Sequence, residues 1–194
     1  MILFINACVR RESRTMRLAE CLLSGAGDEV VQIDLSALVY PTVNEAFIDR
    51  REALTAEGNT SDASFTLARR FASADRIVIA APYWDLSFPA SLKQYLEQIN
   101  VAGITFEYLP DGTAHGLCRA KRLDYVTTAG GMNVPFSFGY GYVKSRAQTL
   151  YGIGDVRLWE AQGLDIDGAD VEGILAEAME KIAREQGKET DDER

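Results

Sequence analysis

Histidine occurs once in this chain of 194 residues, at His115, and cysteine three times, at Cys8, Cys21 and Cys118. A lone histidine at a glycine-rich hairpin tip supports neither a histidine triad nor a zinc site. Three irregularly spaced cysteines give no disulfide framework and no metal-ligand spacing, and they point to a reducing cytoplasm. No apolar run approaches the ~20 residues that span a bilayer, so no membrane role is expected. Residues 1–9 are apolar but carry no basic leader and no small-residue cleavage site, so they read as a buried strand rather than a signal peptide. Basic residues are in deficit: the net charge of −9 argues against nucleic acid as a partner. Interdomain linkers and internal repeats are also missing. Asn59-Thr60-Ser61 fits the glycosylation pattern, but without a secretion signal the match is accidental.

What is present is an ordinary globular composition, 47% hydrophobic and 25% charged, long enough for one large domain with a substantial core. That domain is expected over residues 1–187, with an acidic tail over 188–194 that is expected to be disordered. Strands are expected at Met1–Asn6, Glu29–Ile33, Arg76–Ala80, Lys121–Thr128 and Val156–Ala161. Between them lie helical patterns: one capped by Ser13 and ended by Gly25-Ala26-Gly27, an interrupted one over 45–74, and others at 90–101, 143–152 and 168–186. Gly58-Asn59-Thr60-Ser61 marks the interruption, with Ser61 or Asp62 capping the second piece. Ile104–Leu117 alternates apolar and polar residues around Pro110-Asp111-Gly112 and reads as a β-hairpin insertion. Strands alternating with helices imply right-handed crossovers and a three-layer α/β sandwich, its parallel sheet ordered 2-1-3-4-5.

Ligands bind such sheets at the carboxyl ends of the strands, and three loops there carry chemistry. Ser13-Arg14-Thr15, with Arg10 and Arg11 upstream, opens a helix whose free N–H groups and positive dipole end suit an anion; an ordinary N-cap explains the same residues. Ala81-Pro82-Tyr83-Trp84-Asp85-Leu86-Ser87-Phe88-Pro89 is an aromatic turn held between prolines, suited to a planar ring; a turn with Trp84 plugging the core is the alternative. Thr127-Thr128-Ala129-Gly130-Gly131 lets backbone approach a ligand closely, or merely makes a tight turn. Together, a phosphate loop and two loops suited to a flat heterocycle describe an FMN site.

Those segments resemble the FMN-dependent NADH-azoreductases of the NAD(P)H:quinone oxidoreductase group, which are flavodoxin-like proteins. Ser13-Arg14-Thr15 is similar to that family's S-x-S loop, and residues 81–89 with Leu92-Lys93 to its A-P-M-Y-N-F-x-I-P…L-K segment. Gly103-Ile104-Thr105-Phe106-Glu107-Tyr108, with Gly112 and Gly116-Leu117, is similar to its G-x-T-F-x-Y hairpin. Thr127–Gly131 is similar to its T-S-R-G-G loop. The resemblance implies that Ser13, Arg14 and Thr15 hold the phosphate. It implies that Pro82, Tyr83, Trp84, Asp85 and Leu86 run along one edge of the isoalloxazine, and that Thr128, Ala129, Gly130 and Gly131 contact the other. It also implies a homodimer in which NADH or NADPH reduces FMN and leaves before a quinone or azo compound enters. The flavin does the chemistry, so no catalytic side chain is named.

The chain departs from that pattern at Trp84, at Asp85 where the family has Asn, at Ala129 where it has Arg, and at Asn133 where some relatives have His. Asp85 is expected either to face away from the ring or to lower the flavin's potential. Phe136, Phe138, Tyr140 and Tyr142 read as an aromatic lid or pocket wall, or as dimer packing. Cys8, before a helix start and two arginines, sits in surroundings that lower a thiol pKa. Gly25-Ala26-Gly27 follows a helix and lacks the third glycine of a dinucleotide fingerprint. Asp165-Ile166-Asp167-Gly168 lacks the closing Glu of a calcium loop and reads as turn chemistry. An electron carrier, a free-flavin or metal-chelate reductase, and a relative that has lost FMN remain alternatives to the quinone or azo reductase.

Overall fold

Apolar residues at every position of a strand demand cover on both faces, and the layering follows from that demand. The computed structural model describes residues 1–192. In chain order its elements are β1 (Ile2–Asn6), α1 (Arg14–Ser24), β2 (Val30–Asp34), α2 (Glu45–Ala56), α3 (Thr66–Ser73), β3 (Arg76–Ala80) and α4 (Ala90–Ile99). There follow β4 (Phe106–Tyr108), β5 (Ala114–Gly116), β6 (Arg122–Thr128), α5 (Tyr140–Thr149), β7 (Asp155–Ala161) and α6 (Val171–Asp192). The sheet is parallel, ordered β2-β1-β3-β6-β7, which is 2-1-3-4-5 when only its own strands are counted. The fold class expected from the sequence is the one found.

Alternation along the strands divides the core in two. Ile2 and Phe4 of β1, Val78 of β3 and Val126 of β6 face Leu18, Ala19 and Leu22 of α1 and Ile182 of α6. Leu3, Ile5, Ile77, Ile79, Leu123 and Tyr125 face the other layer, where Phe71, Leu92, Tyr95, Leu96, Val143 and Ala147 of α3, α4 and α5 cover them. α2 buries no residue fully and packs at the margin of the second layer through its half-buried Leu54. β4 and β5 pair antiparallel as a separate hairpin. It docks backbone to backbone: a Cβ on Gly116 would lie 2.1 Å from the Gly152 nitrogen.

Element ends differ from the sequence reading by a few residues. The break after α2 falls as expected, with Gly58 at φ +68°, and Asp62 rather than Ser61 caps the next turn by accepting from Ser64 N–H. α5 begins three residues before the expected Val143, because the Phe136 and Gly139 carbonyls already accept from Gly141 and Val143 N–H. α6 starts at Val171 and continues to Asp192, past its expected end at 186 and into the segment expected as a tail; Glu193 and Arg194 lie outside the described residues.

One buried carboxylate ties the sheet centre together. Asp124 of β6 is fully buried and accepts from Arg76 Nε of β3 at 2.7 Å, from Arg122 Nε and Nη2 at 2.9 Å, and from Trp159 Nε1 of β7 at 2.7 Å. Three adjacent strands therefore converge on one group. Truncating one partner of a buried ion pair costs far more than the intact pair contributes. Asp124→Ala is expected to lower stability by about 3–5 kcal/mol, read as a fall in the urea midpoint.

Candidate functional site

The first loop leaves β1 through Asn6, whose Oδ1 accepts from Cys8 N–H at 2.9 Å. Ser13 caps α1 as expected: its Oγ accepts from Met16 N–H at 3.2 Å. The N–H groups of Arg14 and Thr15 make no hydrogen bond among the described residues, so they stand open at the positive end of the helix dipole. The Thr15 hydroxyl lies 2.6 Å from that of Thr128 in a buried contact that joins α1 to β6. Thr15 thus offers an anion chiefly its N–H, while its hydroxyl is engaged.

The aromatic turn is a tight reversal. Trp84 N–H donates to Ser87 C=O at 3.2 Å, and Ser87 N–H to Trp84 C=O at 2.7 Å. Asp85 and Leu86 between them have φ of +48° and +66°, as a type I′ hairpin turn requires. Trp84 is 41% exposed, which overturns its reading as a core plug. Tyr83 N–H donates to Thr128 C=O at 3.0 Å. Its hydroxyl donates to Pro135 C=O at 3.2 Å, and its ring meets Phe136 edge-on at 5.8 Å. The Ser87 hydroxyl donates to Phe138 C=O at 2.9 Å.

The loop after β6 is therefore fastened across the aromatic turn. Of its four aromatics, Phe136 packs on Tyr83 and Phe138 is exposed. Tyr140 and Tyr142 belong to α5 instead, packed on Tyr125 and Phe88, and take no part in a lid. On its other side the loop zips onto the segment after β7: Leu164 N–H donates to Ala129 C=O, Asp165 N–H to Gly130 C=O, and Gly163 N–H to Gly131 C=O.

These loops line an open cleft of about 730 Å³, within the range of small-molecule sites. Ser13, Arg14, Thr15, Pro82, Tyr83, Trp84, Thr128, Ala129 and Gly130 all line it. Asp85, Leu86 and Gly131 lie beside it and not in its lining, with Asp85 exposed at the apex of its turn. Leu164 and Asp165 also line the cavity, although Asp165 opens a segment that reads from the sequence as turn chemistry alone. Their signal was available in the Asp-x-Asp-Gly turn directly after the last strand, on the rim that the topology singles out. An open helix end at one part of the wall and aromatic rings at another fit a ligand with an anionic end and a planar end, and FMN is such a molecule.

Cys8 does not match its expected character. It is buried, and burial pushes its thiol pKa up, offset in part by a hydrogen bond with Ser13. Burial raises Cys21 as well and pushes Cys118 up to about 12. All three thiols are free.

A family model described as "Flavodoxin-like fold" matches residues 1–185. The chain is similar to a protein of Clostridium acetobutylicum named FMN-dependent NADH:quinone oxidoreductase 2, at 36% identity covering 97% of this chain and 98% of that one. A protein of Coprothermobacter proteolyticus named FMN-dependent NADH:quinone oxidoreductase is 35% identical, covering 93% and 94%. Among solved structures, the azoreductase of Bacillus anthracis superposes with a TM-score of 0.82 at 24% identity, covering 96% of this chain and 98% of that one. A second from that organism, titled an FMN-dependent NADH-azoreductase in complex with FMN, gives 0.79 at 22% identity over 96% and 97%. At those identities the superpositions establish the fold alone.

Two outcomes follow from the geometry. A left-handed conformation costs an ordinary residue roughly 1–2 kcal/mol and Asn less, so Leu86→Asn is expected to raise stability by about 1 kcal/mol, measured by urea unfolding. Thiols with raised pKa hold little thiolate at pH 8, so the buried Cys8 and Cys118 should react slowly with an aromatic disulfide reagent in the native protein and quickly in urea, with the half-buried Cys21 the fastest of the three; more than one fast native thiol would contradict the burial.

Proposed function

The chain belongs to the flavodoxin-like fold family, among relatives named FMN-dependent NADH:quinone oxidoreductases, and on that premise we propose that it carries electrons from NADH to quinones or azo compounds by way of FMN. The observation that carries this reading is the convergence of three separate loops on one cavity: the open start of α1, the aromatic turn after β3 and the glycine loop after β6.

Each part has a distinct task. Ser13 fixes the start of α1, and the N–H groups of Arg14 and Thr15 receive the phosphate. Pro82, Tyr83 and Trp84 present apolar and aromatic surface to one edge of the ring, with Asp85 and Leu86 closing the turn behind them. Thr128, Ala129 and Gly130 present backbone to the opposite edge, with Gly131 behind them bracing the loop. The chemistry that bound FMN supplies is two-electron carriage between donor and acceptor, so the side chains hold, orient and shield rather than react. The reading extends to an alternating order in which donor and acceptor use one pocket in turn.

Exposed apolar side chains support a homodimer. Trp84 and Leu86 stand on one turn, and Phe138 is joined to that turn through Ser87, leaving an apolar rim beside the cavity. A second copy is the occupant we propose for it. Three free cysteines agree with placement in a reducing cytoplasm. Among the described residues no helix is long and apolar enough to cross a membrane.

The test is optical. The purified chain loaded with FMN should be yellow, bleach on anaerobic addition of NADH, and regain its colour when a benzoquinone is added. Sedimentation should give twice the chain mass. A yellow protein that NADH leaves unbleached would favour an electron carrier, and one that rejects FMN would sink the proposal.

A further inference from the structure

Four arginines surround the cavity, and they differ in how they are held. Arg17 is saturated: both its Nη atoms fork onto Glu172, at 2.9 and 2.6 Å. Arg10 and Arg11 are exposed and have no ion-pair partner among the described residues. Only Arg14 is both tethered and open. Its Nη1 donates to Leu164 C=O at 3.0 Å and to Asp165 Oδ1 at 2.6 Å, while its Nη2 and Nε have no partner among the described residues.

The tether is itself braced. Asp165 N–H donates to Gly130 C=O at 3.1 Å. Its second carboxylate oxygen lies 2.2 Å from where a Cβ at residue 130 would stand, with the rest of that side chain close behind. Glycine at 130 is thus what lets the carboxylate sit against the loop after β6. One side chain links the loops that follow β1, β6 and β7. The ion pair is too exposed to hold the fold, at 40% and 71% for its two side chains. Its effect is orientation: a long side chain that would otherwise sample many rotamers is fixed by one edge of its fork, with the other edge presented.

We propose that Asp165 is a positioning residue for the phosphate end of the flavin, holding Arg14 so that its free edge acts beside the open N–H groups of α1. The inference rests on the FMN reading and adds to it a residue that carries the same charge sign as the ligand it helps to bind. A carboxylate at the wall of an anion site repels the anion unless its contribution through the arginine is the larger one, and that competition makes the sign of the effect measurable.

The experiment titrates flavin-stripped protein with FMN and with riboflavin, which lacks the phosphate, following flavin fluorescence. Asp165→Ala is expected to weaken FMN binding roughly five- to tenfold and riboflavin binding less than about twofold. Arg14→Gln should show the same selectivity, and the double variant should be no worse than the poorer single one, because the two residues act as a unit. Asp165→Asn, which keeps the shape and one acceptor, should fall between Ala and the parent. Unchanged thermal midpoints in these variants would agree with an orienting role. Tighter FMN binding by Asp165→Ala would overturn the proposal by showing that repulsion dominates. Equal losses for both flavins would do so by showing a structural prop, and additive losses by showing that the two residues act separately. A parent chain that binds neither flavin would remove the FMN reading itself, and this proposal with it.

Discussion

The parallel ladder does not stop where the strands stop, and the site depends on that continuation. Ala7 N–H donates to Ala80 C=O, Ala81 to Val126, Tyr83 to Thr128, and Ala129 to Ala161. Each loop therefore starts out in register with its neighbour across the sheet. Backbone amides that leave a strand at a buried rim need partners, and here the adjacent loop supplies them. The cavity wall inherits its spacing from the sheet, and side chains such as Thr15 and Thr128 need only close the remaining gaps. Loops are ordinarily the mobile part of a fold; these are fastened at their roots.

That arrangement explains what was legible in the sequence. Strand order and layering follow from apolar runs and helical periodicity, which are local signals. So do the Ser13 cap and the break at Gly58, each set by one residue's conformational chemistry. The rim loops were legible because topology assigns them a place before any contact is known. What escaped was chemistry between distant segments. Nothing local marks Thr15 and Thr128 as partners across 113 positions, or Asp165 as the neighbour of Gly130. Cys8 was misread for the same reason. Its sequence neighbours Arg10 and Arg11 are exposed, whereas its spatial neighbours are core, and desolvation raises its thiol pKa. Tyr140 and Tyr142 were drawn into a lid by glycines that instead admit an earlier start to α5.

Strain is concentrated at the aromatic turn. Leu86 occupies a left-handed conformation that glycine or asparagine would adopt with less cost, and it does so while exposing an apolar side chain. Two unfavourable choices at one turn are the pattern expected where function overrides local preference. The turn keeps its shape because Tyr83 and Ser87 are each bound to the loop after β6, so two independent anchors flank the left-handed pair.

The contact between Arg14 and Leu164 spans 150 positions of chain, and this has a kinetic meaning. A wall assembled from the start, middle and end of the sequence exists only after β1, β3, β6 and β7 have all paired, and non-local parallel pairing is the slow kind. The ligand therefore meets a finished domain or no site at all. By mass action, occupancy then draws the whole chain toward its native state, by RT ln(1 + [L]/Kd). A lesion far from the cavity, at the buried carboxylate of β6 for instance, would register as a rise in the flavin concentration needed to keep the protein folded.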